Sequence, residues 1–558
     1  MGRLRVRDAA PDRISDVASL GRYAYLGAFA EPSCRRGGVY VVDISNPRRP
    51  RQAGFIRARP GRFVGEGVQA LRLRTRFFRG DLLVHNNELC SAPGRSGGMS
   101  LWDVTRPRRP RALAQNRGDT RAPDGRRRPA TQIHSVFAWQ QGRRAFAVQV
   151  DDDERGDVDI FEITNPRRPR HVAEVGLRDW PGAQDGQAAG MGTFPVSLHH
   201  DVQVRNLGGH WRMLLSYWDA GYVLLDVDDP ARPRFLEDSD FPDPDRLTGL
   251  APEGNAHYAE WDRTGRYVLA ADEDFDPLRF VGRIVSGPFS GEQFVAPQAS
   301  GVPQVDPEHP VAGPTSFVGV ACDAGTTPAA PAGGAIAVIE RGDCDFATKA
   351  RNVAAKGYRG GIVFNAERGA TACEGAFGMI VTAHVHFLGV VPRSLGYRLL
   401  GIAGYDGSDC PDRDDSQPRL PAPGTPGADL DIRVLHDGWG ALRLLDATTL
   451  DEVGAYAIPE ALDRRNATGF GDLSIHETAA DPTRDLVYAA WYSGGFRVLS
   501  YGPGGLQEVG RYIDRGGNDF WGVEVHRARG GRHVVLASDR DRGLYVFRYA
   551  PAGPGPEG

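Results

Sequence analysis

Four histidines occupy one place in four similar stretches: Ile133-His134-Ser135-Val136, Leu198-His199-His200-Asp201-Val202, Ala256-His257-Tyr258-Ala259 and Ile475-His476-Glu477-Thr478. Three more stretches align on the valine or alanine that follows. The shared column then reads Ser15, Glu66, His134, His200, His257, His476 and Trp521. With 14 histidines in 558 residues, a given position is histidine by chance about one time in forty. Four of seven is therefore a pattern that needs a cause. Imidazoles brought to one point make a metal site, because neutral nitrogen donors suit iron, copper and zinc. The expected ligands are His134, His200, His257 and His476, holding iron or copper ahead of zinc. Glu66 stands in the column, and Asp201 and Glu477 directly follow two of the histidines, so these three are the candidates for orienting an imidazole or adding an oxygen ligand. An ion held this way keeps positions free for dioxygen, water or substrate. The competing reading is structural, each repeat using its histidine to bond a carbonyl or a water of its neighbour. His199 should point into the sheet packing, and His526 lies further along its strand, outside the column.

Something must carry the column inward, and a repeat does so. Tyr40-Val41-Val42-Asp43-Ile44-Ser45-Asn46-Pro47 returns as Leu101-Trp102-Asp103-Val104-Thr105-Arg106-Pro107, as Ile160-Phe161-Glu162-Ile163-Thr164-Asn165-Pro166 and as Leu224-Leu225-Asp226-Val227-Asp228-Asp229-Pro230. Weaker echoes follow at Leu444-Leu445-Asp446, Val498-Leu499-Ser500 and Tyr545-Val546-Phe547. A period near sixty residues with several short alternating runs predicts a β-propeller of seven four-stranded blades. In the unit ending at Asp226 the strands fall at 201–205, 211–217, 222–227 and 234–237. The first strand of each blade lines the axial channel, which is where the column would converge. The last unit has only three strands, so Arg3 to Arg7 should supply its outer strand and close the ring.

The Tyr40–Pro47 and Ile160–Pro166 runs resemble the LVIVD repeat, found in bacterial and archaeal propellers that are often exported. One step, from Asp226 to Asp446, is far too long and holds a second domain. Its run Ala335-Ile336-Ala337-Val338-Ile339-Glu340-Arg341-Gly342-Asp343-Cys344-Asp345-Phe346 reads as strand, turn and helix start, with Asp343 or Asp345 as the cap. Phe346, Ala350, Val353 and Ala354 make an apolar stripe, Gly357 ends the helix, and Gly361-Ile362-Val363-Phe364-Asn365 is the next buried strand. This resembles the protease-associated (PA) domain, specifically over 335–367 and more loosely over 284–412. That resemblance implies a non-catalytic lid or binding module outside the cytoplasm. The insertion falls between the second strand (267–271) and third strand (441–446) of the fifth repeat, so the domain is expected to cap the histidine mouth and select a small-molecule or peptide ligand there.

Composition narrows the field. Net charge is −4 and the arginines are scattered through turns, which leaves no face for nucleic acid. No window is apolar enough for a membrane span, and Met1 to Ala9 has no signal core, so the chain is either cytoplasmic or lacks its leader here. Six cysteines without a C-x-x-C pair argue against zinc ribbons and thioredoxin chemistry. Cys344 with Cys373, Cys322 with Cys410, and Cys34 with Cys90 are pairings to consider, and with the PA resemblance they favour export. No H-E-x-x-H or P-loop is present, and no peptidase motif accompanies the PA-like stretch. Asp151 to Glu162 nearly fits a calcium loop, but Arg155 takes a ligand place and the flanks read as strands, so calcium is not favoured. Asp272-Glu273-Asp274 and Asp276 fall on the face of the histidine mouth and offer a lining for it under the inserted domain, with solvated loop charge as the preferred reading.

The expected protein is thus all-β, a seven-bladed β-propeller closed by its N-terminal strand with an inserted α/β PA domain. Its segments are propeller 1–283, PA domain 284–412, linker 413–435, propeller 436–550 and tail 551–558. The expected function is a metal-dependent oxidoreductase or oxygenase. Carotenoid-cleaving oxygenases, seven-bladed propellers that hold iron with four axial histidines, offer an architectural likeness only. The alternative is an exported, non-catalytic LVIVD propeller serving as a binding or adhesion scaffold.

Overall fold

A computed structural model describes the chain apart from residues 1, 8–9, 30–35, 91–96, 122–126, 131, 152–153, 155, 181–182, 184–197, 219, 241, 243, 251, 276, 297, 300, 307–309, 368–372, 375–378, 380, 406–416, 468–472, 529 and 551–558. The acidic end of the repeat motif has a local cause. Asp43 Oδ1 accepts the Ser45 N–H at 3.0 Å, Asp103 that of Thr105 at 3.0 Å, Asp226 that of Asp228 at 2.9 Å and Asp446 that of Thr448 at 2.8 Å. A short carboxylate that bonds its own backbone two residues on turns the chain off the strand, and the proline that follows in the first four copies prevents the strand from resuming. Each motif thereby ends the third strand of a sheet.

The chain is nearly all strand, with two α-helices among the described residues, and neither is long and apolar enough to cross a membrane. It divides into two compact units, and the first comprises Met1–Ala189, Ser197–Phe275 and Gly438–Gly558. This unit is a β-propeller. Among the described residues it holds seven four-stranded antiparallel sheets whose first strands are Ile14–Leu20, Gln69–Arg74, Ile133–Gln141, Leu198–Leu207, Ala256–Trp261, Thr478–Ala480 and Phe520–Arg527. In the last sheet the outer strand is Gly2–Arg5, paired antiparallel with Gly543–Phe547. In the fifth, Tyr267–Asp272 pairs with Leu442–Asp446, so the insertion leaves the sheet between its second and third strands.

Both faces of these strands are apolar because each sheet packs on two others. Leu82, Val84 and Leu101 of the second sheet meet Val136, Ala138 and Ala147 of the third, and Val17, Leu26 and Val42 of the first meet Leu536, Leu544 and Val546 of the last. A fully buried side chain of this size contributes about 1.5–3 kcal/mol. The inner strands then have only their ends and one edge left for polar groups. A cavity of about 270 Å³ touches residues in or beside the first strand of all seven sheets, among them Asp16, Gln69, Asp201, Tyr258, Glu477 and Glu524.

The second unit is Asp276–Asp437 among the described residues. Its centre is a parallel sheet of Thr315–Phe317, Ile336–Glu340, Gly360–Phe364 and His386–Val391, flanked in sequence by helices Phe346–Ala355 and Arg393–Leu399. Asp345, not Asp343, caps the first helix and accepts the Thr348 N–H at 2.7 Å. Lys349, fully buried, gives its ammonium to the carbonyls of Val320, Glu340 and Gly342. Leu430–His436, expected to fall mostly in a linker, is a strand paired with Leu278–Ile284. The cysteine pairing differs from both expectations for this domain: Cys322 bonds Cys344, with Cα atoms 5.7 Å apart, across the turn that Lys349 ties together. Cys90 and Cys373 are also disulfide-bonded, while Cys34 and Cys410 lie outside the described residues.

Two predictions follow the burial of charge in the first unit. Arg443 is buried with Asp245 at 2.8 Å, Glu452 at 2.6 Å and Asp272 as ion partners. Arg443→Met should cost about 3–5 kcal/mol, because three carboxylates lose their counter-ion; the urea midpoint checks it. Burial raises Glu260 and Glu524 to about 8 each. Both then hold protons when folded that they release when unfolded, so stability falls as pH rises from about 4.5 to about 8. A lower urea midpoint at pH 9 than at pH 6 is expected, and a Glu260→Gln, Glu524→Gln double variant should shrink that difference.

Candidate metal centre

A local irregularity delivers the column. The pairing of first and second strands slips between Ile133 and Val136, between His199 and Asp201, and between Ala256 and Tyr258, leaving His134, His200 and His257 at bulges. The same slip recurs between Ile14 and Val17 and between Phe520 and Val523, around Ser15 and Trp521. A bulge re-aims one side chain while the strand on either side keeps its alternation. The histidines therefore leave the packing between sheets and turn towards one another. His199, which keeps the alternation, stacks on Tyr217 at 4.8 Å and reaches the Asp157 carbonyl at 3.1 Å, as expected of a packing residue.

The four column histidines form an arc. Ring centroids are 4.2 Å apart for His134 and His200, 4.1 Å for His200 and His257, and 4.2 Å for His257 and His476, and Trp521 continues the series at 4.2 Å from His476. Glu66 enters the arc. Its Oε1 lies 3.7 Å from His134 Nε2, 3.5 Å from His257 Nε2 and 3.3 Å from His476 Nε2, and its Oε2 lies 3.6 Å from His200 Nδ1. Gly67 makes this approach feasible: its φ is +69°, and a Cβ there would sit 2.3 Å from the Val136 nitrogen.

Glu273 is the site residue that the sequence reading placed wrongly. It is not solvated loop charge but buried, with Oε2 3.3 Å from His257 Nε2 and Oε1 3.9 Å from His476 Nε2. The Tyr492 hydroxyl donates to Glu273 Oε1, and Tyr492 holds a positive φ of 31°, an uncommon state for a bulky residue. Asp272 is likewise buried, bonded by the Tyr222 hydroxyl at 2.6 Å and by Arg443, and Asp274 is buried beside them. Glu88 Oε2 stands 3.7 Å from His134 Nδ1, and the Asn86 amide donates to the His134 carbonyl at 2.6 Å.

The other candidates lie further from the arc. Asp201 accepts from the Ser135 hydroxyl at 2.7 Å and the Val202 N–H at 2.6 Å, so its bonds join neighbouring strands. Glu477 Oε1 is 3.9 Å from His476 Nδ1, and its Oε2 takes the Val523 N–H at 3.2 Å. His526 bonds Ser19 at 2.8 Å. Of the calcium-like loop, Asp152, Asp153 and Arg155 lie outside the described residues, and Glu162 is held by Arg144 at 3.3 Å and by Arg170.

The electrostatics of the arc alternate. Burial disfavours the Glu66 charge, yet His200, His257 and His134 hold its carboxyl well below the usual range. Burial also works against protonated His134 and His257, but Glu66 with Glu88 raises the first well above the ordinary value, and Glu273 with Glu66 raises the second to about 8. Burial and then the His257 charge push His200 well down and His476 to about 3, which favours the neutral imidazole in both. Glu66 Oε2, His200 Nδ1, and both ring nitrogens of His257 and of His476 have no hydrogen-bond partner among the described residues. Six buried polar atoms without partners in one place are costly unless something else binds them. Nitrogen and carboxylate donors together suit a transition ion, and triads within 4.8 Å form from Glu66, His134 and His200, from Glu66, His257 and His476, and from His200, His257 and Glu273.

Comparison with known proteins adds to the second unit. Residues 310–394 match the model of the PA domain. No curated protein matches the chain. Among solved structures, a zinc aminopeptidase from Bacillus subtilis is similar at 16% identity and a TM-score of 0.19, over 32% of this chain and 36% of its own length. The chain thus spans about a third of that aminopeptidase. Two β-propellers match over nearly all of their length. The Cps50 (Swd1) β-propeller domain of Myceliophteria thermophila covers 98% of this chain and 99% of its own, at 10% identity and a TM-score of 0.39. Sqt1 of Saccharomyces cerevisiae covers 98% and 100%, at 8% identity and a TM-score of 0.40.

Proposed function

We propose that the chain is a seven-bladed, LVIVD-type β-propeller whose N-terminal strand completes its last blade, and that it holds a transition metal at its axis for oxidative chemistry. His134, His200, His257 and His476 would bind the metal together with Glu66 and Glu273. The observation that carries this reading is the set of six unpartnered buried atoms facing one another on Glu66, His200, His257 and His476. A structural histidine would have found a carbonyl, as His199 does with Asp157. Here the ring nitrogens face other imidazoles and carboxylates, and the rings pack against one another and against Trp218, Tyr492 and Trp521. Iron or copper is the ion preferred for this donor set, with zinc next, and a metal-dependent oxidoreductase or oxygenase is the corresponding activity. The Cys322–Cys344 disulfide supports an oxidising compartment, hence an exported protein.

Elemental analysis of protein purified without a histidine tag tests the centre. Near-stoichiometric iron or copper is expected, and zinc would point to hydrolytic or structural use. His200→Ala and His476→Ala should each lose the metal while His199→Ala retains it. Equal retention in all three, or no metal after reconstitution, would leave a binding scaffold and overturn the proposal.

A further inference from the structure

The donors around Glu66 outnumber what one catalytic ion needs. Four imidazoles and two carboxylates would fill all six positions of an octahedral ion and leave none for substrate, whereas catalytic sites keep a position open. The distances instead sort the donors into two sets. His134 Nε2 and His200 Nε2 are 2.9 Å apart, the spacing of adjacent donors on one ion with bonds of about 2.1 Å. On the other side, His257 Nε2 and His476 Nε2 lie 3.5 and 3.3 Å from Glu66 Oε1, and His257 Nε2 is 3.3 Å from Glu273 Oε2. Those separations also fit neighbours on one ion. Glu66 belongs to both sets through Oε1, which lies 3.7 Å from His134 Nε2 as well as facing His257 and His476, while its Oε2 lies towards His200 Nδ1.

We infer that the centre holds two metal ions bridged by the Glu66 carboxylate. His134 and His200 bind one ion, and His257, His476 and Glu273 bind the other. This rests on the reading that the arc binds metal at all. The triad of His200, His257 and Glu273 within 4.8 Å keeps the two sets adjacent. Ions in bridged pairs stand about 3.5–4 Å apart and clamp an oxygen ligand between them. Two imidazoles and one carboxylate oxygen leave the first ion the more open of the pair. The ligand class is therefore an oxygen donor spanning both ions, with hydroxide as its simplest member.

The test uses the full chain, stripped with chelator and titrated with copper(II), which suits imidazole donors. Two copper ions per chain with the magnetic-resonance signature of an exchange-coupled pair are expected. Glu66→Gln should abolish the coupling and lower the stoichiometry, while Glu273→Gln should keep two coupled ions and weaken only one of them. If Glu66→Gln does not fold, the wild-type stoichiometry and coupling decide by themselves. Saturation at one ion with the spectrum of an isolated copper would overturn the bridged pair and leave the metal reading intact. No bound copper would overturn both.

Discussion

Glu66 is a buried carboxylate of a kind that a protein interior tolerates only when favourable partners stand close by, and the imidazoles of His200, His257 and His134 surround it. That requirement reaches through the whole first unit. His134 and His257 sit on the first strands of two sheets that flank the sheet bearing His200, and Glu66 precedes the first strand of yet another. None of these strands can slide or tilt without uncovering a buried charge. The unpaired cost would be several kcal/mol per group, a large share of the stability of an ordinary domain. The sheet-to-sheet apolar layers provide the stiffness that holds the arrangement, and the bulges translate it into side-chain direction.

Support for the arc arrives from outside it. Arg443 anchors Asp272, whose neighbour Glu273 faces His257, and Tyr222 fixes Asp272 from the fourth sheet. Tyr492 holds Glu273 from the sixth sheet, at a backbone conformation that only surrounding contacts sustain. Trp521 closes the arc on the far side of His476. The orientation of Glu273 is thus set by Tyr492 directly, and Asp272 beside it is set by Arg443 and Tyr222.

The second unit solves a different problem. Its parallel sheet buries Lys349 by giving the ammonium three carbonyls, and burial still lowers the lysine to about 8. The Cys322–Cys344 bond closes the same turn from outside. A buried Arg393 performs the matching task at the other helix, bonding Glu340 at 2.7 Å and the Asn365 carbonyl at 3.0 Å. These cations and the disulfide add to the apolar packing on both faces of the parallel sheet.

Much of this was written in the sequence because it is periodic or local. Recurrence of the acidic strand end marked the sheets, since an Asx turn needs only residues two apart. The histidine column was legible because the repeats place equivalent residues at equivalent depth, and the PA-like helix because its cap, stripe and terminal glycine are contiguous. Glu273 was not legible, because it follows a second strand and no repeat partner marks it. Its burial is decided by Tyr492, 219 residues away. The Cys322–Cys344 pairing was equally hidden, for spacing does not reveal which loops the parallel sheet brings together. The sequence by itself determined which residues recur and hence which strands they begin. Only the tertiary structure decided which atoms face each other, because that depends on bulges, on neighbouring sheets and on charges that meet only once the chain has folded.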